Sequence, residues 1–351
     1  MDSVPASAAC NEAVKLARKK GFSSLSGFVN GVLRNIARNL EQIAYPDMEK
    51  QKLEYFSVKY SMPQWIIGQW NSDYGQEQTE EMLKAFATEA PLTIRTNLLK
   101  ITPQELKERL NREGVTAEKI NCMECPGLDY GFFISGFDYL NGLSSFREGL
   151  FYVQDISSMM VAELAEPKED DYIIDVCAAP GGKSTHLAEK LKNTGMVEAR
   201  DLTEYKVSLI EENISRHQLG NMKAVQMDAT VLDEASVGKA DIVIADLPCS
   251  GLGVMRKKTD IRYRMTKESE QELASLQRQM LDTVCQYVKA GGKLIYSTCT
   301  IDKMENEENV TWFLKKHPEY VLEEMHQIFP QAQYGDGFFI ARMRKKATDG
   351  R

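Results

Sequence analysis

From Phe151 to about Lys345 the chain alternates short apolar runs with longer amphipathic stretches, and that alternation leaves few folds open. The apolar runs predict strands at 172–177, 196–201, 223–228, 241–246 and 293–298. Between them the spacing predicts helices near 183–192, 203–218 and 268–289, the last with Leu273, Leu276, Met280, Val284 and Val288 on one face. Strand–helix alternation of this kind packs as a doubly wound, Rossmann-like α/β sheet. Two further apolar pieces, Tyr320 to Leu322 and Phe338 to Ala341, are expected to close a sheet edge. In an open α/β sheet, ligands bind just beyond the carboxyl ends of the strands. The residues standing there are therefore the candidates for function.

The first ~45 residues read as helical, with Leu25, Phe28, Val29, Val32, Leu33 and Ile36 at helical spacing. Such a face needs a partner, either the rest of the chain or a larger helical domain. Tyr45-Pro46-Asp47 breaks the pattern. Residues 48–90 again read as helical, with Trp65, Ile66, Trp70, Met82, Leu83 and Phe86 as core candidates. From Pro91 the period changes: Leu92 to Asn97 alternates as a strand, and Thr102-Pro103-Gln104-Glu105 caps a helix through Leu110. Strand-like pieces follow up to Leu150, making a small α+β module.

At 351 residues and 43% hydrophobic content the chain can bury two or three cores. No apolar run approaches the ~18 residues of a membrane span, and Met1 to Pro5 has no secretory pattern. Seven cysteines, an odd number on a long chain, favour reduced thiols and a cytoplasmic setting. A net charge of −8 argues against a nonspecific nucleic-acid coat but leaves room for a local basic patch.

The predicted strand ending at Asp175 runs into Cys177-Ala178-Ala179-Pro180-Gly181-Gly182-Lys183 and a helix start. A phosphate loop needs a glycine where Cys177 stands, and no G-x-G-x-x-G string follows this strand, so neither ATP nor a dinucleotide fits. S-adenosylmethionine has no pyrophosphate and asks only for close backbone approach, which Gly181 and Gly182 permit. Asp201 and Asp228 end the next two strands, the first 19 residues after Gly182, where a ribose diol is usually held. Adenine would be read near Asp228. The alternative for each Asp is a helix or turn cap.

Two cysteines stand at the next strand ends: Cys249 in Asp246-Leu247-Pro248-Cys249, and Cys299 in Ser297-Thr298-Cys299-Thr300. Both are expected to face one crevice. Cys10, Cys285 and Cys177 are expected to be small buried hydrophobes instead. Cys122 and Cys125 have metal or redox spacing, but no second pair completes a tetrahedral set, so no metal is expected. A regulatory disulfide between Cys249 and Cys299 does not suit a reducing compartment. The chemistry that needs a cofactor loop and a thiol is methylation at a poor nucleophile such as cytosine C5. Thiolate attack at C6 makes C5 enamine-like, C5 takes the methyl, a base removes the C5 proton and the thiol leaves. Asp246 would hydrogen-bond the N3/N4 edge of the base, and Lys183 would favour the thiolate. The run Arg256-Lys257-Lys258-Thr259-Asp260-Ile261-Arg262-Tyr263-Arg264-Met265-Thr266-Lys267 directly follows the Cys249 loop and is expected to contact an RNA backbone. The target base would be flipped or unpaired.

These residues carry a resemblance. The chain is similar to the bacterial RNA 5-methylcytosine methyltransferases of the NOL1/NOP2/Sun group, and most of all to those acting on 16S ribosomal RNA. Asp175 to Lys183 resembles the family's cofactor loop, Asp246 to Cys249 its D-x-P-C element and Ser297 to Cys299 its S/T-C element. Gln154-Asp155 and Asp336-Gly337-Phe338-Phe339 match its flanking motifs. The resemblance implies that Cys299 is the nucleophile, that Cys249 assists product release, and that Cys177 to Lys183, Asp201, Asp228 and Asp246 line the S-adenosylmethionine site. It also implies a partial NusB-like segment at 1–45, a linker and RRM-like RNA-binding module at 46–148, a catalytic domain at 149–346 and a tail at 347–351. The expected partner is RNA, with no membrane, and the expected state is a monomer. Two departures stand out. Asn11 to Asn39 resembles only the last helices of a NusB-like domain, and Arg200 occupies a place where a small or apolar residue is commoner, as a surface variant or as a perturbation of cofactor affinity. Three alternatives stay open: another RNA such as tRNA, a non-catalytic RNA-binding assembly factor, and Cys249 as nucleophile, as in DNA cytosine-5 methyltransferases.

Overall fold

The computed structural model describes residues 4–42, 44–121, 127–331 and 335–347. The chain forms two compact units, Met1–Gln64 and Trp65–Arg351. In the first, α1 (Ala6–Lys19) packs against α2 (Ser26–Arg38), and α3 (Lys52–Lys59) follows. The apolar stripe read from the sequence lies on α2, where Phe28, Val32 and Ile36 are exposed.

α4 (Gln64–Phe86) has all but its first residue in the second unit. The sequence reads as one helical stretch over 48–90, but Gly75 at φ 79° breaks α4, because a positive φ cannot continue an α-helix. Ile66, Trp70, Met82, Leu83 and Phe86 are buried as expected. The small module has β1 (Leu92–Thr96), α5 (Pro103–Arg112), β2 (Thr116–Lys119), β3 (Gly131–Ser135), a one-turn α6 (Ser144–Arg147) and β4 (Phe151–Val153). Thr102 caps α5 with a full capping box and Pro103 at its first turn, as its sequence predicts. The sheet order is β2-β3-β1-β4. Here one expectation is corrected. Phe151 does not open the strand–helix alternation: β4 pairs antiparallel with β1, Ile94 opposite Val153, and Phe151 packs on Ile94, Leu106 and Leu110. The residues Cys122 and Cys125 lie outside the described residues.

After α7 (Ile156–Ala165) the alternation is regular: β5 (Tyr172–Asp175), α8 (Gly182–Lys190), β6 (Met196–Asp201), α9 (Glu204–His217), β7 (Met222–Gln226) and β8 (Ala240–Asp246). Then come a one-turn α10 (Ile261–Arg264), α11 (Lys267–Val284), β9 (Val288–Thr298), α12 (Glu307–Lys316), β10 (Tyr320–Ile328) and β11 (Phe338–Lys345). The described residues form a seven-stranded sheet of order β10-β11-β9-β8-β5-β6-β7. β5 to β9 run parallel, and β11 and β10 close the edge antiparallel, as the two late apolar pieces predict. The long helix ends earlier than its apolar stripe suggests, since Val288 opens β9.

Burial on both faces explains the unbroken apolar runs. Along β8, Val243 and Ala245 enter one core with Leu281 and Tyr287, while Ile242 and Ile244 enter the other with Leu187 and Ile210. The strand order reverses between β5 and β8. That switch point opens a crevice at their carboxyl ends, and Asp175 and Asp246 terminate the two strands beside it.

Candidate active site

The candidate site is built from the ends of five strands, β5 to β9. Beyond β5, Gly181 turns at φ 106° and lets α8 start at Gly182. The turn is tied down by the Ala178 N–H donating to Arg200 O at 2.9 Å and the Ala179 N–H donating to Asp201 Oδ2 at 3.0 Å. A Cβ added at Gly182 would meet nothing within 4 Å, and at Gly181 its nearest neighbour would be Ile210 Cγ2 at 3.7 Å. The loop therefore has open space over its backbone, which fits a cofactor lying close to it. Asp201 is buried, and its other oxygen accepts the Leu202 N–H at 2.8 Å and faces Lys206 Nζ at 3.0 Å. So Asp201 clamps the loop that follows β5. Asp228 lies just past β7, where Oδ1 accepts from Thr230 N at 2.8 Å and Oγ1 at 2.7 Å; these bonds hold its carboxyl below the usual range.

Past β8 and β9 the predicted pair meets. Cys249 Sγ and Cys299 Sγ are 3.2 Å apart. The shared hydrogen bond drives their acidities apart: it lowers Cys299, with Lys183 and Lys258 helping against burial, and raises Cys249 well above its ordinary value. Cys299 is thus the more acidic thiol of the pair. Lys183 Nζ sits 2.7 Å from Asp246 Oδ2 and 5.3 Å from the Phe338 ring centroid. Burial alone would lower the Lys183 ammonium, but Asp246, with Asp175 behind it, outweighs that and raises it. Asp246 Oδ1 accepts the Ser297 hydroxyl at 2.8 Å. Cys177 is half-buried, and its thiol is pushed well above its ordinary value by burial and then by Asp175. Cys10 and Cys285 are buried, as expected of small hydrophobes.

Several residues of the site escape sequence reasoning. Gly253 threads between two backbones: its N–H donates to Cys299 O at 3.0 Å and its carbonyl accepts the Gly337 N–H at 2.9 Å. Phe338 and Ser297 flank the Lys183–Asp246 pair. Only the motifs carrying Ser297 and Phe338 hint at this, and Gly253 has no local signal at all.

The basic segment is corrected in part. Arg256 is not a surface residue: its side chain is 1% exposed, beside Asp336 and donating to Gly335 O. Arg262 is buried and donates to Met255 O at 3.3 Å. Lys257 bridges Asp155 at 2.6 Å and Asp336 at 2.8 Å. Buried charges are paired, and the acids here come from the flanking motifs at Asp155 and Asp336. Lys258 and Arg264 are exposed, Arg264 within 3.1 Å of Asp260.

Arg200 is likewise no surface variant. It is buried, 2.5 Å from Glu198 and 3.2 Å from Asp233, donates to Ser236 Oγ at 2.6 Å, and lies 5.2 Å from the Tyr287 ring. Its side chain closes an ion-pair network next to the strand end that carries Asp201. Arg200→Leu leaves Glu198 with Lys223 and Tyr172 and Asp233 with Ser236, and is expected to cost about 2 kcal/mol in urea unfolding through the lost charge-assisted hydrogen bonds. A loss below about 0.5 kcal/mol, the usual effect of a surface change, would show that the network contributes little.

Among the described residues no cluster of His, Cys, Asp or Glu could hold a metal ion, and no helix is long and apolar enough to cross a membrane.

Comparison with known proteins agrees with this geometry. The family model for 16S rRNA methyltransferase RsmB/F matches residues 162–344, its ferredoxin-like domain matches 62–126, and the NusB family matches 1–38. A probable ribosomal RNA small subunit methyltransferase B of Bacillus subtilis is 35% identical, over 99% of this chain and 80% of that protein. The tRNA (cytosine(72)-C(5))-methyltransferase of Pyrococcus horikoshii is 38% identical over 59% of this chain and 55% of its own length. The crystal structure of NSun6 from Pyrococcus horikoshii with SFG superposes with a TM-score of 0.73 at 26% identity, covering 82% of this chain and 99% of that one. With its N-terminal NusB match, its ferredoxin-like module and its methyltransferase sheet in this order, the chain belongs to the 16S rRNA methyltransferase RsmB/F family.

Proposed function

We propose that this chain is an S-adenosylmethionine-dependent methyltransferase that methylates cytosine C5 in 16S ribosomal RNA through a covalent Cys299–C6 adduct. The observation that carries it is the thiol pair at 3.2 Å, at the ends of β8 and β9, beside Lys183–Asp246. S-adenosylmethionine, when bound over Gly181 and Gly182, supplies the electrophilic methyl group. The chain's own residues do the rest. The Cys299 thiolate attacks C6, the C5=C6 π electrons shift toward C5, and C5, now enamine-like, becomes the nucleophile for the methyl. Asp246, oriented by Ser297 and Lys183, holds the N3/N4 edge of the base. Loss of the C5 proton to a water that Cys249 orients then expels Cys299 as thiolate.

Ribosomal RNA is favoured over tRNA because similarity to the Bacillus subtilis relative spans nearly the whole chain, including the parts outside the catalytic sheet. We assign the RNA contact to residues 46–148 and to the exposed Lys258 and Arg264, and place the enzyme as a cytoplasmic monomer. The test is transfer of labelled methyl from S-adenosylmethionine to unmodified small-subunit ribosomal RNA. Label recovered as 5-methylcytosine is expected; label on tRNA alone would favour the other substrate, and a folded protein that labels no RNA would favour a non-catalytic RNA-binding assembly factor.

A further inference from the structure

Beneath the two thiols one carboxylate joins the loops that carry them. Glu305 follows the Cys299 turn and is fully buried. Its Oε2 accepts the backbone N–H of Ser250, the residue after Cys249, at 3.0 Å, and the Nε2 of Gln277 at 2.8 Å. Gln277, from α11, also donates to Pro248 O at 2.8 Å, so the residues on both sides of Cys249 are held from the same point. Tyr296 on β9 donates to the Glu305 backbone carbonyl and fixes the base of the clamp. A lesser tie lies alongside, where the hydroxyls of Ser250 and Thr300, the residues following each cysteine, stand 2.7 Å apart.

The anchoring of the two cysteines is unequal. Cys299 is fixed without Glu305: its carbonyl accepts the Gly253 N–H, and the adjoining Thr298 pairs with Phe339 across β9 and β11. The Cys249 loop lies beyond the end of β8, and Glu305 and Gln277 hold the backbone on either side of the cysteine. A carboxylate buried without a cationic partner is also costly. Among the described residues none of the ion pairs includes Glu305; burial pushes its carboxyl up to about 7, and the acids Asp302 and Glu270 lie nearby. Such rule-breaking groups concentrate at functional sites.

We infer that Glu305 is a positioning residue for the release half of the reaction, holding the Cys249 thiol against the Cys299 adduct through the Ser250 N–H. The inference rests on the proposed roles of the two cysteines. Loss of Glu305 leaves the nucleophile in place and frees the group that assists release, so adduct formation persists and turnover slows.

The test compares Glu305→Ala and Glu305→Gln with the wild type in single-turnover and steady-state methyl transfer to small-subunit ribosomal RNA. Glu305→Ala is expected to keep the first-turnover rate within about threefold, to lose roughly tenfold or more in steady-state rate, and to accumulate covalent RNA adduct. Glu305→Gln keeps an oxygen for the Ser250 N–H and is expected to restore turnover to within a few-fold of wild type. Should the alanine variant not fold, Thr300→Val, which removes the lesser tie, is expected to shift the same ratio in the same direction. First-turnover and steady-state rates falling together, or turnover unchanged in the folded variants, would overturn the inference. A wild type that transfers no methyl would instead defeat the reading on which it rests.

Discussion

Cys299→Ala is expected to abolish methyl transfer, by more than roughly a thousandfold, while leaving the fold and cofactor binding intact. Removing a covalent nucleophile takes away the step that makes the rest possible, and the losses of groups acting as a unit do not add. The side chain is half-buried at a strand end, so trimming it to a methyl leaves a small gap rather than a broken core. The partner substitution behaves differently. In Cys249→Ala the Cys299 thiol loses the hydrogen bond that does most to lower it, leaving Lys183 and Lys258 to work against burial and Asp246, but the nucleophile itself stays in place. First-turnover transfer is therefore expected to survive in that variant and product release to slow. Were Cys249 the nucleophile, the two variants would exchange phenotypes.

Gly253→Ala is the second change with a large expected effect, and its cause is purely steric. A Cβ there would stand 2.0 Å from Gly337 O and 2.8 Å from Cys299 O. Both are backbone atoms, so no side chain can turn aside to make room. Overpacking usually costs 1–3 kcal/mol; here the strand end that carries the nucleophile must itself move, so about 3 kcal/mol or more is expected, with activity lost alongside. Gly182→Ala is the matching control, because its new methyl meets nothing within 4 Å. Its stability is expected to stay within about 1 kcal/mol of wild type. Thermal melts of the two variants, read beside methyl transfer, check both expectations. A Gly253→Ala protein that melts with the wild type would mean the loop relaxes freely.

The parts of this protein that were legible in its sequence are those with local causes. A strand buried on both faces must be apolar throughout, which is why β5, β8 and β9 can be read directly. Thr102-Pro103 announces a helix start because capping is local. The site at the strand ends follows from the topology that these elements impose. What could not be read depends on partners far along the chain. Arg256 and Arg262 look like a solvated basic run until Asp336 and the Met255 carbonyl are brought to them. Arg200 looks anomalous until Glu198, Asp233 and Ser236 surround it. Phe151 stands where the alternating region is read to begin, yet β1 from the small module claims it. Glu305 and Gly253 are invisible for the same reason: each acts on a backbone group of the Cys249 or Cys299 turn that only the folded chain brings near.

The central claim is that Cys299 forms the bond to the RNA base and Cys249 does not. It is tested most directly by incubating Cys249→Ala with S-adenosylmethionine and unmodified small-subunit ribosomal RNA, digesting the product, and mapping the nucleotide-linked peptide by mass spectrometry. The predicted result is a methylated cytosine joined to the peptide containing Cys299, with no such species from Cys299→Ala. A nucleotide linked to any other residue, or no adduct from Cys249→Ala while Cys299→Ala still turns over, would contradict the account.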